Sequence, residues 1–136
     1  MNDRIFITKT DFEKLRLLVE RRSDGYSHDR PNLDKLEQEL DRAEVVESHA
    51  IPKDTVTMNS EVRLRDMDSG HVTTYRVVFP SQVRSPKDMS VLAPIATGLL
   101  GYRAGSIVEW PVPKGIRRLK ILAVLNQPSA EVAMLS

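Results

Sequence analysis

Apolar residues recur at helical spacing through the first third of the chain and at alternating spacing through the rest. In the first arm Phe12, Leu15, Leu18 and Val19 form a stripe, with Glu13, Lys14, Arg16, Glu20 and Arg21 between them. Thr10 stands three residues before Glu13, the spacing of a capping box, and predicts the helix start there. In the second arm Leu33, Leu36, Leu40 and Ala43 follow the 3-4-3 rhythm of a heptad seam, which Glu47 ends. Pro31 suits a first helical position. Residues 10–46 therefore read as two amphipathic helices, each about 20 Å long, joined by a polar tip at residues 23–31. Helices this short need packing partners. The stripes are either ordinary core or the seam of a paired, projecting hairpin.

Around Pro52 the period changes. Residues 4–8 read as a short strand or extended lead-in before the hairpin, and residues 48–53 as a linker after it. Val56, Met58, Val62 and Leu64 mark extended chain, with Arg63 and Arg65 on the opposite face. Residues 66–70 form a turn whose Gly70 supplies positive φ, and residues 71–80 return as the second strand of a hairpin. A polar loop covers residues 81–88 and a brief strand residues 90–92. Pro94 in front and Gly101 behind bracket a short helix, with Ala93 a chemically poor N-cap. Strands follow at residues 107–110 and 116–126, separated by a turn at 112–115. The continuously apolar residues 121–125 predict a central position in the sheet. A loose tail closes the chain at residues 129–136. Helices followed by strands give an α+β fold. Its expected parts are an N-terminal antiparallel coiled-coil hairpin at residues 1–50 and a C-terminal antiparallel sheet domain with one short helix at residues 51–136.

Composition narrows the function. The 136 residues contain no cysteine, which excludes disulfides, thiolate metal sites and cysteine nucleophiles. A net charge of +1 gives no global attraction to nucleic acid or anionic membrane. Aromatics at 5% leave too few rings for a base-stacking platform. No apolar run reaches the length of a membrane span, and residues 1–7 are too few for a signal sequence. A cytoplasmic protein without membrane contact is expected. His28, His49 and His71 lie apart, and no phosphate-cradling glycine motif occurs, so neither cofactor nor resident metal is expected and a kinase activity has no motif. At the hairpin tip Asp24 and Asp29 flank a segment holding Tyr26 and His28, and Arg30 follows. Two carboxylates there would either cap turns or complete a partner's site for a hard cation. Lys114, Arg117, Arg118 and Lys120 would serve either as a solvated strand end or as a weak anionic contact.

Three runs carry a family resemblance. The run Ile51-Pro52-Lys53-Asp54-Thr55-Val56-Thr57-Met58-Asn59-Ser60 resembles the joint into the C-terminal domain of bacterial transcript-cleavage factors of the Gre type. It is still more similar to their short relative, the regulator of nucleoside diphosphate kinase. Residues 89–115 (MSVLAPIATGLLGYRAGSIVEWPVPKG) resemble the second half of that domain, and residues 39–43 resemble the second helix of the kinase-regulator branch. The order and spacing of these runs cover nearly the whole chain. The resemblance implies a coiled-coil hairpin, a C-terminal domain of FK506-binding-protein-like fold, and bacterial RNA polymerase as partner, bound at its secondary channel. It also implies a polymerase-docking turn at Leu92, Ala93, Pro94 and Ile95; the proline matches the family's Ser-Pro step, while alanine replaces the serine. The arms are shorter than the family's long finger, and Asp24 and Asp29 do not reproduce its acidic tip motif. A non-catalytic regulator of elongation follows, acting by occlusion or by competition with longer factors. DNA or RNA contact is expected only weakly and within the polymerase complex. The alternatives are stimulation of transcript cleavage, with the tip acids sharing the polymerase magnesium, and a prolyl isomerase, which would need a pocket lined by Tyr75, Phe79, Tyr102 and Trp110.

Overall fold

The computed structural model describes residues 4–21 and 30–125. Strand β1 (Phe6–Thr8) leads directly into helix α1 (Lys9–Glu20); helix α2 (Arg30–Arg42) returns into strand β2 (Glu44–Val46). β1 and β2 pair in parallel, Phe6 opposite Glu44 and Thr8 opposite Val46, so the two helices form the crossover between them. A single turn of 3-10 helix (Ser48–Ala50) then leads to the second sheet. That sheet contains β3 (Glu61–Asp66), β4 (Val72–Val78), β5 (Asp88–Ser90), β6 (Ile107–Val112) and β7 (Gly115–Val124), in the order β5-β4-β3-β7-β6, with helix α3 (Pro94–Leu99) between β5 and β6.

Both helix boundaries predicted at the base of the hairpin move. Thr8, not Thr10, caps α1: its hydroxyl accepts from the Asp11 N–H at 3.2 Å. The buried positions of α1 are Asp11, Leu15 and Val19, while Phe12 and Leu18 are only partly covered. Asp11 fills a core slot because its carboxylate accepts from the buried Met58 N–H at 3.2 Å, a partner some fifty residues away that no local pattern shows. At the other end α2 stops at Arg42, where the Glu44 N–H turns to the Ile5 carbonyl at 2.9 Å and the β-branched Val45 and Val46 continue as strand.

Arms held out in solvent are not seen over the described residues. Leu15, Val19, Leu33, Leu36 and Leu40 belong to the same buried cluster as Val62, Leu64, Val77, Val91, Leu99 and Ile121. Even Leu33, near the outer end of α2, is 1% exposed. The seam is therefore continuous with the core beneath the sheet, and α2 packs against α3 as well as against its own partner helix. Three ties fix the joint. Phe6 N–H donates to the Gly101 carbonyl at 3.1 Å, the Gly101 N–H donates to Val56 O at 3.0 Å, and the Val56 N–H donates to Tyr102 O at 2.8 Å. Arg42 adds a hydrogen bond to the Tyr102 hydroxyl at 2.7 Å.

The β3–β4 hairpin and its turn form as the sequence predicts, with Gly70 at φ +78°. One expectation for the sheet is corrected. It is not wholly antiparallel: edge strand β5 runs parallel to β4. The chain leaves β4 through Phe79 and a 3-10 turn at Pro80–Gln82, and the Asp88 carboxylate accepts from the Arg84 and Ser85 N–H groups to bring it back, so no tight hairpin closes. β7 takes the internal place its apolar run predicts, between β3 and β6, though its end is not buried on both faces. Arg63 pairs with Ala123 and Leu64 with Ile121, so Leu122 is an extra residue in a bulge. Ile121 and Val124 turn inward, leaving Leu122 and Leu125 exposed. The tail at 129–136 lies outside the described residues.

Candidate functional site

The turn from β5 into α3 is built from local hydrogen bonds. The Ser90 hydroxyl accepts from the Leu92 N–H at 3.1 Å and the Ser90 carbonyl accepts from the Ala93 N–H at 2.9 Å. Ala93 is extended (φ −65°, ψ 137°), as the residue before a proline prefers, and Pro94 occupies the first turn of α3. Ala93 offers no side-chain cap. Thr97 ties the helix back to the turn by donating: its hydroxyl lies 2.5 Å from Val91 O and 3.2 Å from Ala93 O, and its N–H donates to Ala93 O at 3.0 Å. Val91 N–H is held by Val78 O at 2.8 Å, which anchors the turn to β4. Pro94 is thereby held outward, exposed at the end of a fixed turn, with Ala93 and Ile95 half-buried. Leu92 is 7% exposed and points into the core. The four predicted docking residues are contiguous in space, yet Pro94 alone among them is fully presented.

Beside this turn opens a groove of about 410 Å³. Leu17 and Leu18 of α1, Leu33 of α2, Phe79 and Leu92 supply its apolar lining, and Lys14 and Arg21 stand along it. Leu17 is 57% exposed. Sequence reading passes over it because it falls outside the buried stripe; the available signal is an aliphatic residue on an otherwise charged helix face. Asn59, also at the groove, holds φ +68° while its N–H donates to Val77 O at 2.6 Å.

Of the predicted tip residues, Asp24, Tyr26, His28 and Asp29 lie outside the described residues, and Arg30 opens α2. His49 and His71 are exposed and far apart in the chain. Among the described residues no group of three or more His, Asp or Glu side chains could hold a metal ion, and no helix is long and apolar enough to cross a membrane. Of the rings proposed for an isomerase pocket, Phe79 lines the groove, Tyr75 borders a separate depression and Tyr102 pairs with Arg42, while the Trp110 side chain lies outside what the structure describes.

The basic cluster divides. Arg117 donates two hydrogen bonds to the Asp66 carboxylate, at 3.0 and 3.2 Å, and Arg118 donates one to Asp68 at 3.1 Å. Asp66 also accepts from the N–H groups of Ser69 (3.1 Å) and Asp68 (2.9 Å), closing the β3–β4 turn. Those backbone donors, Ser69 first, and then Arg117 hold its carboxyl below the usual value. A carboxyl with a lowered folded-state pKa stabilises above the unfolded pKa and loses that contribution as pH falls through the folded value. From about pH 4 downward, the melting temperature of the wild-type chain should converge on that of Asp66→Asn, with the gap widest at neutral pH; a gap that does not narrow in acid would contradict the assignment.

Comparison with known proteins gives the family. The description "Transcription elongation factor, GreA/GreB, C-term" matches residues 51–126 and "Rnk N-terminus" matches residues 3–46. The two matches leave between them residues 47–50, which hold the 3-10 turn. The regulator of nucleoside diphosphate kinase of Escherichia coli (strain K12) is 36% identical over 128 residues, 93% of this chain and 92% of its own length. A transcription elongation factor GreA of Thermotoga sp. (strain RQ2) is 30% identical over 94 residues, 68% of this chain and 60% of its own. A solved structure described as a prokaryotic transcription elongation factor GreA/GreB from Nitrosomonas europaea is 38% identical and superposes with a TM-score of 0.75, covering 92% of this chain and all of the other. With one family matched through the hairpin and another through the sheet, the chain belongs to the Rnk group of the GreA/GreB transcription elongation factor family.

Proposed function

We propose that this chain is a non-catalytic regulator that docks on bacterial RNA polymerase near its secondary channel and modulates elongation by occlusion or by competition with longer cleavage factors. The observation that carries the reading is the fixed turn that presents Pro94 in a chain of the elongation-factor family. The apolar groove with Leu17 adjoins this turn through Leu92. A prolines-and-aliphatics surface of this kind suits an apolar partner segment, and Lys14 and Arg21 favour acids at its edge. Because the seam residues of α1 and α2 are already buried, the hairpin contributes its groove wall at this contact.

Purified chain retained by immobilised RNA polymerase is the expected result. Pro94→Glu and Leu17→Glu each place a charge on an exposed site and should leave the fold intact while weakening retention roughly tenfold, about 1.4 kcal/mol. Equal retention of both variants would remove this surface from the contact. In stalled elongation complexes the chain alone should produce no shortened transcripts; shortening lost in an Asp24→Ala/Asp29→Ala variant would replace occlusion with cleavage.

A further inference from the structure

The outer face of the five-stranded sheet lies opposite the face that buries Val62, Leu64, Leu119 and Ile121, and it carries an arrangement that folding alone disfavours. Val62, Leu64, Leu119 and Ile121 are buried, so Arg63 and Arg65 of β3 and Lys120 of β7 point the other way. Arg65 and Lys120 are register partners on antiparallel strands, which sets their Cβ atoms about 5 Å apart. Like charges in that position repel. Among the described residues none of the three takes part in an ion pair, whereas their neighbours Arg76, Arg117 and Arg118 pair with Glu61, Asp66 and Asp68.

The same row is bracketed by exposed aliphatics. Val72 is the partner of Arg65 across β4, and Ile107 is the partner of Lys120 across β6; they are 45% and 48% exposed. Read across four strands, the row is Val72, Arg65, Lys120, Ile107, spanning about 14 Å. Two adjacent unpaired cations between two apolar side chains form a surface whose complement is a pair of carboxylates flanked by hydrophobic residues. A nucleic-acid backbone would satisfy the cations and leave both aliphatics without a partner, so the face fits protein better than phosphate.

We infer that this face is a second docking surface, distinct from the groove beside α3, for an acidic segment of a protein partner with hydrophobic residues on either side. Repulsion between Arg65 and Lys120 is relieved when the carboxylates arrive. The inference does not rest on polymerase docking, and its test uses the free chain.

The test titrates the full-length chain into a fluorescein-labelled synthetic peptide with two central glutamates flanked by leucines. Comparison probes are a leucine-free peptide of equal charge and a twelve-nucleotide single-stranded DNA. The expected order is leucine-flanked peptide first, with roughly fivefold weaker binding by each comparison probe. Arg65→Ser and Lys120→Thr, and separately Val72→Ser and Ile107→Ser, should each weaken the peptide complex. Thermal melting supplies a second readout: Lys120→Thr should melt at or above the wild-type temperature, since it removes a like-charge contact. DNA bound more tightly than the peptide, peptide binding indifferent to Arg65 and Lys120, or a lowered melting temperature for Lys120→Thr would each overturn the inference.

Discussion

Gly101→Ala is expected to be the most damaging glycine-to-alanine change among the described residues. Gly101 sits just after α3 at φ +86°, a region that residues with a Cβ rarely adopt. An added Cβ would lie 2.7 Å from the Ile5 Cβ and 3.2 Å from the backbone N and O of Phe6. Neither neighbour can yield easily. Ile5 is 1% exposed, and Phe6 N–H already donates to the Gly101 carbonyl. Relief requires β1 to move away, which strains its pairing with β2 and the start of α1. Left-handed strain together with the overlap should cost about 3 kcal/mol. For a chain of this size that lowers the melting temperature by about 10 °C. The check is thermal unfolding followed by circular dichroism; a loss under about 2 °C would mean that this junction does not hold the hairpin to the sheet.

Leu36→Ala is expected to match it from the other side of the joint. Leu36 lies mid-way along α2, is fully buried, and belongs to the cluster shared with the sheet. Truncation removes three carbons from a site enclosed by α1 and the domain, at a cost of about 3 kcal/mol including the cavity. If the hairpin seam and the sheet form one cooperative unit, near- and far-ultraviolet signals should fall together in a single transition shifted down by about 10 °C. An early transition that melts helix alone, with the sheet's own transition unmoved, would show instead that residues 1–50 unfold as a separate domain. Guanidinium unfolding of the same variant gives an independent value for the stability change.

How much of this was legible in the sequence follows from which interactions are local. The 3-4-3 seam of α2 reports a buried face whatever covers it, and Leu33, Leu36 and Leu40 are all buried. Gly70, Pro94 and Gly101 mark turns because their backbone constraints are intrinsic, and each stands where its chemistry places it. Periodicity does not state what covers a stripe. The same leucines fit a free coiled coil and a helix pair joined to a larger core, and over the described residues they share one buried cluster with the residues of the sheet and α3. Asp11 shows the same limit in polar form: a carboxylate in the first turn of a helix reads as solvent-facing until Met58 is brought to it. Parallel pairing of β1 with β2 depends on a contact across the whole hairpin and left only Ile5, Phe6 and Ile7 as a local trace. In the candidate site the docking role of the turn at Pro94 comes from resemblance and the Leu17 groove only from folding. Arg117 and Arg118, grouped with Lys120 by sequence, separate from it once Asp66 and Asp68 come within reach.

Direct binding to RNA polymerase tests the central claim most closely. Fluorescently labelled chain titrated with core polymerase should give a saturable complex that unlabelled GreA displaces, and Pro94→Glu should weaken it roughly tenfold while melting like the wild type. Absence of a saturable complex, or a complex that neither GreA nor Pro94→Glu disturbs, would contradict docking through the α3 turn.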